Sequence, residues 1–256
     1  MNEIVRLLKS AAVVVLCTLS ALLVLLFSWL PRGGVYPFVS QKMWGPGLLW
    51  LAGAKMEVSG LENLKPGVHY IYYANHQSYY DIPALCAAVP APLYFIAKHE
   101  ILKVPVFGWG MYAIGMVFVD RTNPEKAKAS MAKAAKGIKK GKSILAFPEG
   151  TRTKTGRLQP FKKGIFHVAK KGNIPMVPVA IHGSREVLPL SGRLASGHIR
   201  VVVGAPISGE EVESLPVGDL TKTAHDALST LLAESRIKVL TEKSSGHAFR
   251  ESEQTA

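Results

Sequence analysis

From residue 11 to residue 30 the chain carries no charged side chain, and most positions are Ala, Val or Leu. A run of about 20 residues matches the hydrocarbon core of a bilayer, so length and apolarity together specify a membrane-anchoring helix. Arg6 and Lys9 precede the run, and Pro31 and Arg32 follow it. A cleaved signal peptide would have an apolar core of about 7–15 residues with a small-residue cleavage site close behind. Here the run is longer, and Ala52-Gly53-Ala54 lies well beyond it. The reading is therefore a retained transmembrane helix over about 11–30. Arg6 and Lys9 are offset by Arg32 and Lys42, so the flanking charges do not orient it.

A second apolar stretch, 35–54, contains Trp44, Trp50 and Lys42 and is interrupted by Gly45-Pro46-Gly47. The interruption suits a segment that lies along the membrane interface or beside the first helix rather than one that spans again. Ordinary packing against a soluble domain fits equally well. Residues 1–54 are thus expected to form an N-terminal membrane anchor.

From Lys55 the texture changes. Strand-like runs at 56–59, 69–74, 93–97, 116–120, 143–147, 176–181 and 199–203 alternate with helix-like stretches at 82–88, 106–114, 124–140, 164–171 and 220–240. Pro124 suits the first turn of its helix. This alternation predicts an α/β fold: a mixed, largely parallel sheet sandwiched by helices, filling one domain over 55–241. Residues 242–256 are rich in Ser, Glu and Lys without periodicity and read as a disordered tail.

Among 256 residues, 31 Lys and Arg against 18 Asp and Glu give a formal charge of +13, which favours polyanionic partners. No nucleic-acid-binding signature is present and the basic residues are dispersed, so the anionic membrane surface is the better match and nucleic acid is not expected as a partner. The two cysteines, Cys17 and Cys86, have no companion at metal-ligand spacing, which argues against a disulfide framework and against a metal site.

Chemistry-bearing residues gather where strands end. Asn75-His76-Gln77-Ser78-Tyr79-Tyr80-Asp81 follows one strand. His76 and Asp81 are five residues apart, about 500° of rotation on a regular helix, so they meet only if His76 precedes the helix and Asp81 lies in its first turn. Ser78 and Asp81 resemble a capping box, with Ser78 as N-cap and Asp81 at the third helical position. Phe147-Pro148-Glu149-Gly150-Thr151-Arg152 follows another strand; its glycine permits close backbone approach, and its guanidinium can grip a phosphate with two parallel hydrogen bonds. Arg121 follows a third strand. Carboxyl ends of strands are where α/β sheets bind ligands.

Together these segments resemble the glycerolipid acyltransferase family, the 1-acyl-sn-glycerol-3-phosphate acyltransferases. Asn75 to Asp81 is similar to its HxxxxD block, 115–121 to its second block, Phe147 to Arg152 to its third, and Val177-Pro178-Val179-Ala180-Ile181 to its fourth. The blocks stand in family order and cover roughly 55–205. The resemblance implies that His76 and Asp81 are catalytic, that Arg121, Glu149, Gly150, Thr151 and Arg152 bind the acceptor, and that Asn75, Ser78 and Pro178 support the site. It implies acyl transfer from acyl-CoA or acyl-carrier protein to the sn-2 hydroxyl of lysophosphatidate. The product would be phosphatidate, made at a membrane with the catalytic domain facing the cytoplasm, where such donors occur. No further cofactor is implied.

A thioester is already activated, so a general base, alignment and oxyanion stabilisation suffice. Asp81 would hold the imidazole tautomer. Glu149 would orient Arg152 or a hydroxyl rather than face a phosphate, and Lys162-Lys163 would add positive potential. No Gly-x-Ser-x-Gly elbow is present, and Gly183-Ser184-Arg185 does not supply one, which favours direct transfer. Another lysophospholipid or a lyso-aminolipid could replace the acceptor. Two rivals stay open here: a hydrolase with Ser78 as nucleophile, and a non-catalytic lipid-binding protein.

Overall fold

The structure is a computed structural model that describes residues 3–30, 34–120, 122–139 and 141–253. Helix α1 spans Glu3–Leu26, 24 residues, with a mean hydropathy of 2.3 over its most apolar window. By length and composition it can cross a membrane. It does not stand alone. Cys17 accepts a hydrogen bond from the indole of Trp44, and a Cβ added at Gly110 would lie 3.1 Å from the Ala21 carbonyl oxygen. Its other face leaves Leu7, Leu8, Val15, Leu19 and Leu26 exposed.

The second apolar stretch is one continuous helical segment: α2 (Tyr36–Phe38), wide π-helical turns at Val39–Trp44, then α3 (Gly45–Ala52). The Gly-Pro-Gly interruption is therefore not a break. Pro46 falls in the first turn of α3, where its missing N–H costs little. Gly45 is there for contact, since a Cβ would come 2.9 Å from the Pro83 carbonyl oxygen. The helix buries Leu48, Leu49 and Ala52 in the same core as the sheet, and leaves Trp50 outside.

The seven expected strands form one sheet. They are β1 (Ala54–Ser59), β2 (Ile71–Ala74), β3 (Leu93–Lys98), β4 (Val117–Val119), β5 (Ser143–Ala146), β6 (Met176–His182) and β7 (Gly197–Val203), in the order β1-β7-β6-β2-β5-β3-β4. Only the β6–β7 pair is antiparallel among the described strands. The three central strands β6, β2 and β5 are buried on both faces, as the near-continuous apolar runs of parallel strands require. Alternation then sorts their side chains. Ile71 and Tyr73 face one layer with α6 (Pro124–Lys139), α7 (Gly164–Gly172) and α10 (Val217–Glu253), while Tyr72 and Ala74 face α3 and α4 (Asp81–Ala88).

Helix α5 (Phe107–Ala113) packs on α1, and two short helices, α8 (Ser184–Val187) and α9 (Gly209–Ser214), complete the set. Neither short helix is visible as periodicity. The backbone of α10 continues to Glu253, into the segment assigned above to a disordered tail. Ala, Glu, Lys and Arg there are good helix formers and extend a helix already nucleated against the sheet.

Gly60 closes β1 with φ of 81°, and a Cβ there would meet the Val203 carbonyl oxygen at 1.9 Å. Gly60→Ala is therefore expected to cost about 1–3 kcal/mol. Thermal unfolding should show a Tm lower by about 2–4 °C for each kcal/mol lost; an unchanged Tm would contradict the close approach.

Candidate active site

Strands β2 and β5 are parallel neighbours, so the segments after them emerge side by side. The first is clamped immediately. Asn75 donates from Nδ2 to the Ile181 carbonyl at 2.9 Å and accepts from Ile181 N–H at 2.8 Å, as a strand residue would. His76 follows in a non-helical conformation and α4 begins at Asp81. The geometric condition is met: His76 Nδ1 lies 2.7 Å from Asp81 Oδ2. Asp81 is fully buried and the His76 side chain is 16% exposed, so the acid is sealed beneath a ring that still reaches its surroundings.

Asp81 Oδ2 also accepts from the backbone N–H groups of Gln77 (2.7 Å) and Ser78 (2.9 Å), and Oδ1 accepts from the Ser184 hydroxyl. A carboxylate that already takes three donors takes the fourth, the imidazole Nδ1–H, in the same way. This leaves Nε2 as the proton acceptor. Phe147 stacks flat against the imidazole at 3.9 Å between ring centres, fixing the ring plane.

Ser78 is not the N-cap expected of it: α4 starts at Asp81, with Tyr80 at the N-cap and no side-chain cap bond there. The Ser78 hydroxyl donates to the Leu188 carbonyl at 2.7 Å and accepts from Tyr80 N–H at 3.1 Å, while Asp81 returns the bond to Ser78 N–H. Fully buried and committed to these partners, it is not presented to His76 as a nucleophile.

The second segment meets the first through Glu149. Its two oxygens accept from His76 N–H (2.7 Å) and Gln159 N–H (3.0 Å), and Thr153 N–H donates to the His76 carbonyl at 2.8 Å. This corrects the expectation that Glu149 orients Arg152 or a hydroxyl: a carboxylate 3% exposed is stabilised best by backbone amides, and it fastens the two loops together. Burial pushes its carboxyl pKa up, against the lowering effect of those same amides.

Gly150 adopts φ of 75° beneath Lys162, whose ammonium would lie 2.9 Å from an added Cβ. Thr151 is exposed, and its carbonyl accepts from the Gln159 side chain at 3.4 Å. The Arg152 guanidinium lies 3.7 Å above the ring of Tyr79, a cation–π contact that joins the two segments. Pro178 is buried in mid-β6 beside Tyr73, and its carbonyl receives Gly204 N–H. Arg121 lies outside the described residues.

His76, Phe147, Arg152, Lys98 and Lys162 all reach the wall of one cavity of about 970 Å³, whose lining is otherwise mainly apolar. Val13, Ala21 and Val24 of α1, Val39, and Gly110 and Met111 of α5 build much of the remainder. Lys98, paired with Glu100 at 2.8 Å, was not singled out in the sequence, nor was Tyr79 or Ser184. Lys98 is the last residue of β3, and a cation at a strand's carboxyl end was the available signal. Because Tyr79 holds Arg152 in place, Tyr79→Ala is expected to raise the KM for a phosphate-bearing ligand several-fold with kcat little changed, and Tyr79→Phe to preserve it. Steady-state kinetics with varied acceptor would check this; equal effects of the two substitutions would refute it.

A mixed, mostly parallel α/β sheet that sets a part-exposed histidine over a buried aspartate, with a guanidinium on the same apolar cavity, is an arrangement of the kind found in enzymes that use a histidine base. Residues 55–182 match the family model described as Acyltransferase, and the chain belongs to that family. It is 38% identical over 164 residues to a chloroplastic 1-acyl-sn-glycerol-3-phosphate acyltransferase of Brassica napus, covering 63% of this chain and 47% of the relative. It is 33% identical over 211 residues to the 1-acyl-sn-glycerol-3-phosphate acyltransferase of Pseudomonas aeruginosa, covering 80% of each. The crystal structure of the 1-acyl-sn-glycerophosphate acyltransferase of Thermotoga maritima superposes with a TM-score of 0.75 at 26% identity, covering 92% of this chain and 98% of that one. The chain spans about half the length of the plant chloroplastic relatives.

Proposed function

We propose that this protein transfers a fatty acyl group from acyl-CoA or acyl-carrier protein to the sn-2 hydroxyl of 1-acyl-glycerol-3-phosphate, forming phosphatidate. The observation that carries the reading is the shared cavity: His76, backed by buried Asp81, and Arg152 reach the wall of the same apolar space, which is large enough for an acyl chain. His76 Nε2 takes the proton of the acceptor hydroxyl as its oxygen bonds to the thioester carbonyl carbon. The tetrahedral intermediate collapses, the C–S bond breaks, and the imidazolium returns its proton to the departing thiolate. Asp81 stabilises the imidazolium between the two steps. Arg152, with Lys98 and Lys162 on the same wall, holds the acceptor phosphate. The thioester supplies the activation, so the reaction needs no further cofactor.

Helix α1 supports a membrane setting, because it is both long and apolar enough to anchor the chain and part of the cavity wall. A lysolipid can then enter from the bilayer without its acyl chain crossing water. A catalytic domain on the cytoplasmic face would meet cytosolic donors.

Full-length protein in detergent or vesicles, given both donors and a panel of lysolipids, is expected to form phosphatidate. Monoacylglycerol, which lacks the phosphate, should react at least about tenfold more slowly, the loss of one charge-assisted contact. Equal rates with and without the phosphate, or release of free fatty acid alone, would overturn the proposal. Protection of the domain from external protease in right-side-out vesicles, and its cleavage in inverted ones, would check the orientation.

A further inference from the structure

Asp81 is held by four hydrogen bonds, and their distribution is uneven. Three, from His76 Nδ1, Gln77 N–H and Ser78 N–H, converge on Oδ2 and come from within five residues. The fourth reaches Oδ1 from Ser184, 103 residues away, and among the described residues Ser184 is the donor to that oxygen. Both side chains are fully buried.

The approach of Ser184 is built into the fold. Strand β6 ends at His182, and Gly183 turns the chain with φ of 81°. A Cβ at Gly183 would lie 1.8 Å from the His198 carbonyl oxygen, so the turn is closed to other residues. Ser184 opens the short helix α8, whose Val187 is fully buried and whose following residue, Leu188, accepts from the Ser78 hydroxyl. With the paired contacts of Asn75 to Ile181 and the Gln77 amide donating to the same carbonyl at 3.1 Å, the side chains of Asn75, Gln77, Ser78 and Ser184 clasp the stretch 181–188 to the stretch 75–81.

We propose that Ser184 is a positioning residue for the transfer reaction. Its hydroxyl fixes the rotation of the Asp81 carboxylate, so that Oδ2 stays aimed at His76 Nδ1. Without it Oδ1 is a buried acceptor with no partner, and the carboxylate turns to share its amide donors between both oxygens. The imidazole then loses the geometry that holds its tautomer. The inference rests on the reading of His76 as the general base. A purely structural Ser184 would lower stability and leave turnover alone.

The test is a double-mutant cycle in the full-length protein. Ser184→Ala is expected to lower kcat by about tenfold or more, with KM for donor and acceptor within about twofold of wild type. In an Asp81→Asn background the same substitution should cause less than about twofold further loss, because the group it positions is gone. Ser184→Cys, close in volume but a weak donor, should also lower kcat while preserving the fold. Unchanged kcat in Ser184→Cys, or an equal loss from Ser184→Ala in both backgrounds, would overturn the role of Ser184. If His76→Ala retained full activity, the underlying reading of the site would fail instead, and the two failures are separate results.

Discussion

Replacing His76 with alanine is expected to reduce kcat by about 10²–10⁴, the usual contribution of a positioned general base. Among the described residues that line the cavity, His76 is the one histidine and there is no carboxylate, and the Ser78 hydroxyl is buried and committed elsewhere. The protein should stay folded, because His76 is part-exposed and the loop is held independently by Asn75 and by backbone bonds to Glu149 and Thr153. Asp81→Asn should produce a loss of the same order. An amide at that buried position cannot accept from all four donors, and it removes the charge that balances the imidazolium. Single-turnover acyl transfer, with circular dichroism to confirm folding, would measure both. Wild-type turnover in either variant would eliminate the base mechanism and favour a lipid-binding protein.

The second large effect is expected at Arg152. Each charge-assisted hydrogen bond removed costs about 1.5–3 kcal/mol, so Arg152→Ala should raise the KM for lysophosphatidate by about tenfold to a hundredfold. Turnover should recover as the acceptor concentration rises, and a phosphate-free acceptor should be affected far less. Arg152→Lys should recover only part of the loss, because an ammonium retains the charge but not the planar two-pronged geometry. A turnover defect that excess acceptor does not relieve would argue against simple phosphate binding and place the guanidinium closer to the reacting atoms.

Much of this arrangement was legible in the sequence because it arises from short-range pattern. All seven strands stand within two residues of their expected bounds, since short apolar runs in the central strands and alternation in β1 and β7, bounded by turns, leave a strand few alternatives. That α4 starts after His76 was readable, but it starts at Asp81, two residues later than a Ser78 N-cap would put it, because Ser78 gives its hydroxyl to the distant Leu188 carbonyl. The expected failures are also physical. Gly45-Pro46-Gly47 looked like a break, yet Pro is compatible with a helix's first turn and Gly45 answers a neighbour 38 residues away. Glu149 looked like a ligand-orienting acid, because its backbone partners on His76 and Gln159 exist only once two loops are side by side. Short α8 and α9 were missed, since four and six residues are too few to establish a period.

The amino-acid order alone was enough to establish an α/β sheet, an apolar N-terminal helix, and the segments after β2 and β5 as the place to look for chemistry. Those properties depend on periodicity, on run length and on residues within a few positions of one another. Folding in three dimensions settled which oxygen of Asp81 meets His76, what Glu149 holds, how Ser184 enters the site, and that α1 is a cavity wall as well as an apolar segment. The last three depend on contacts between segments roughly 70 to 100 residues apart. No local pattern encodes such a contact; it forms only when parallel strands bring their ends to one edge and the helices close over them.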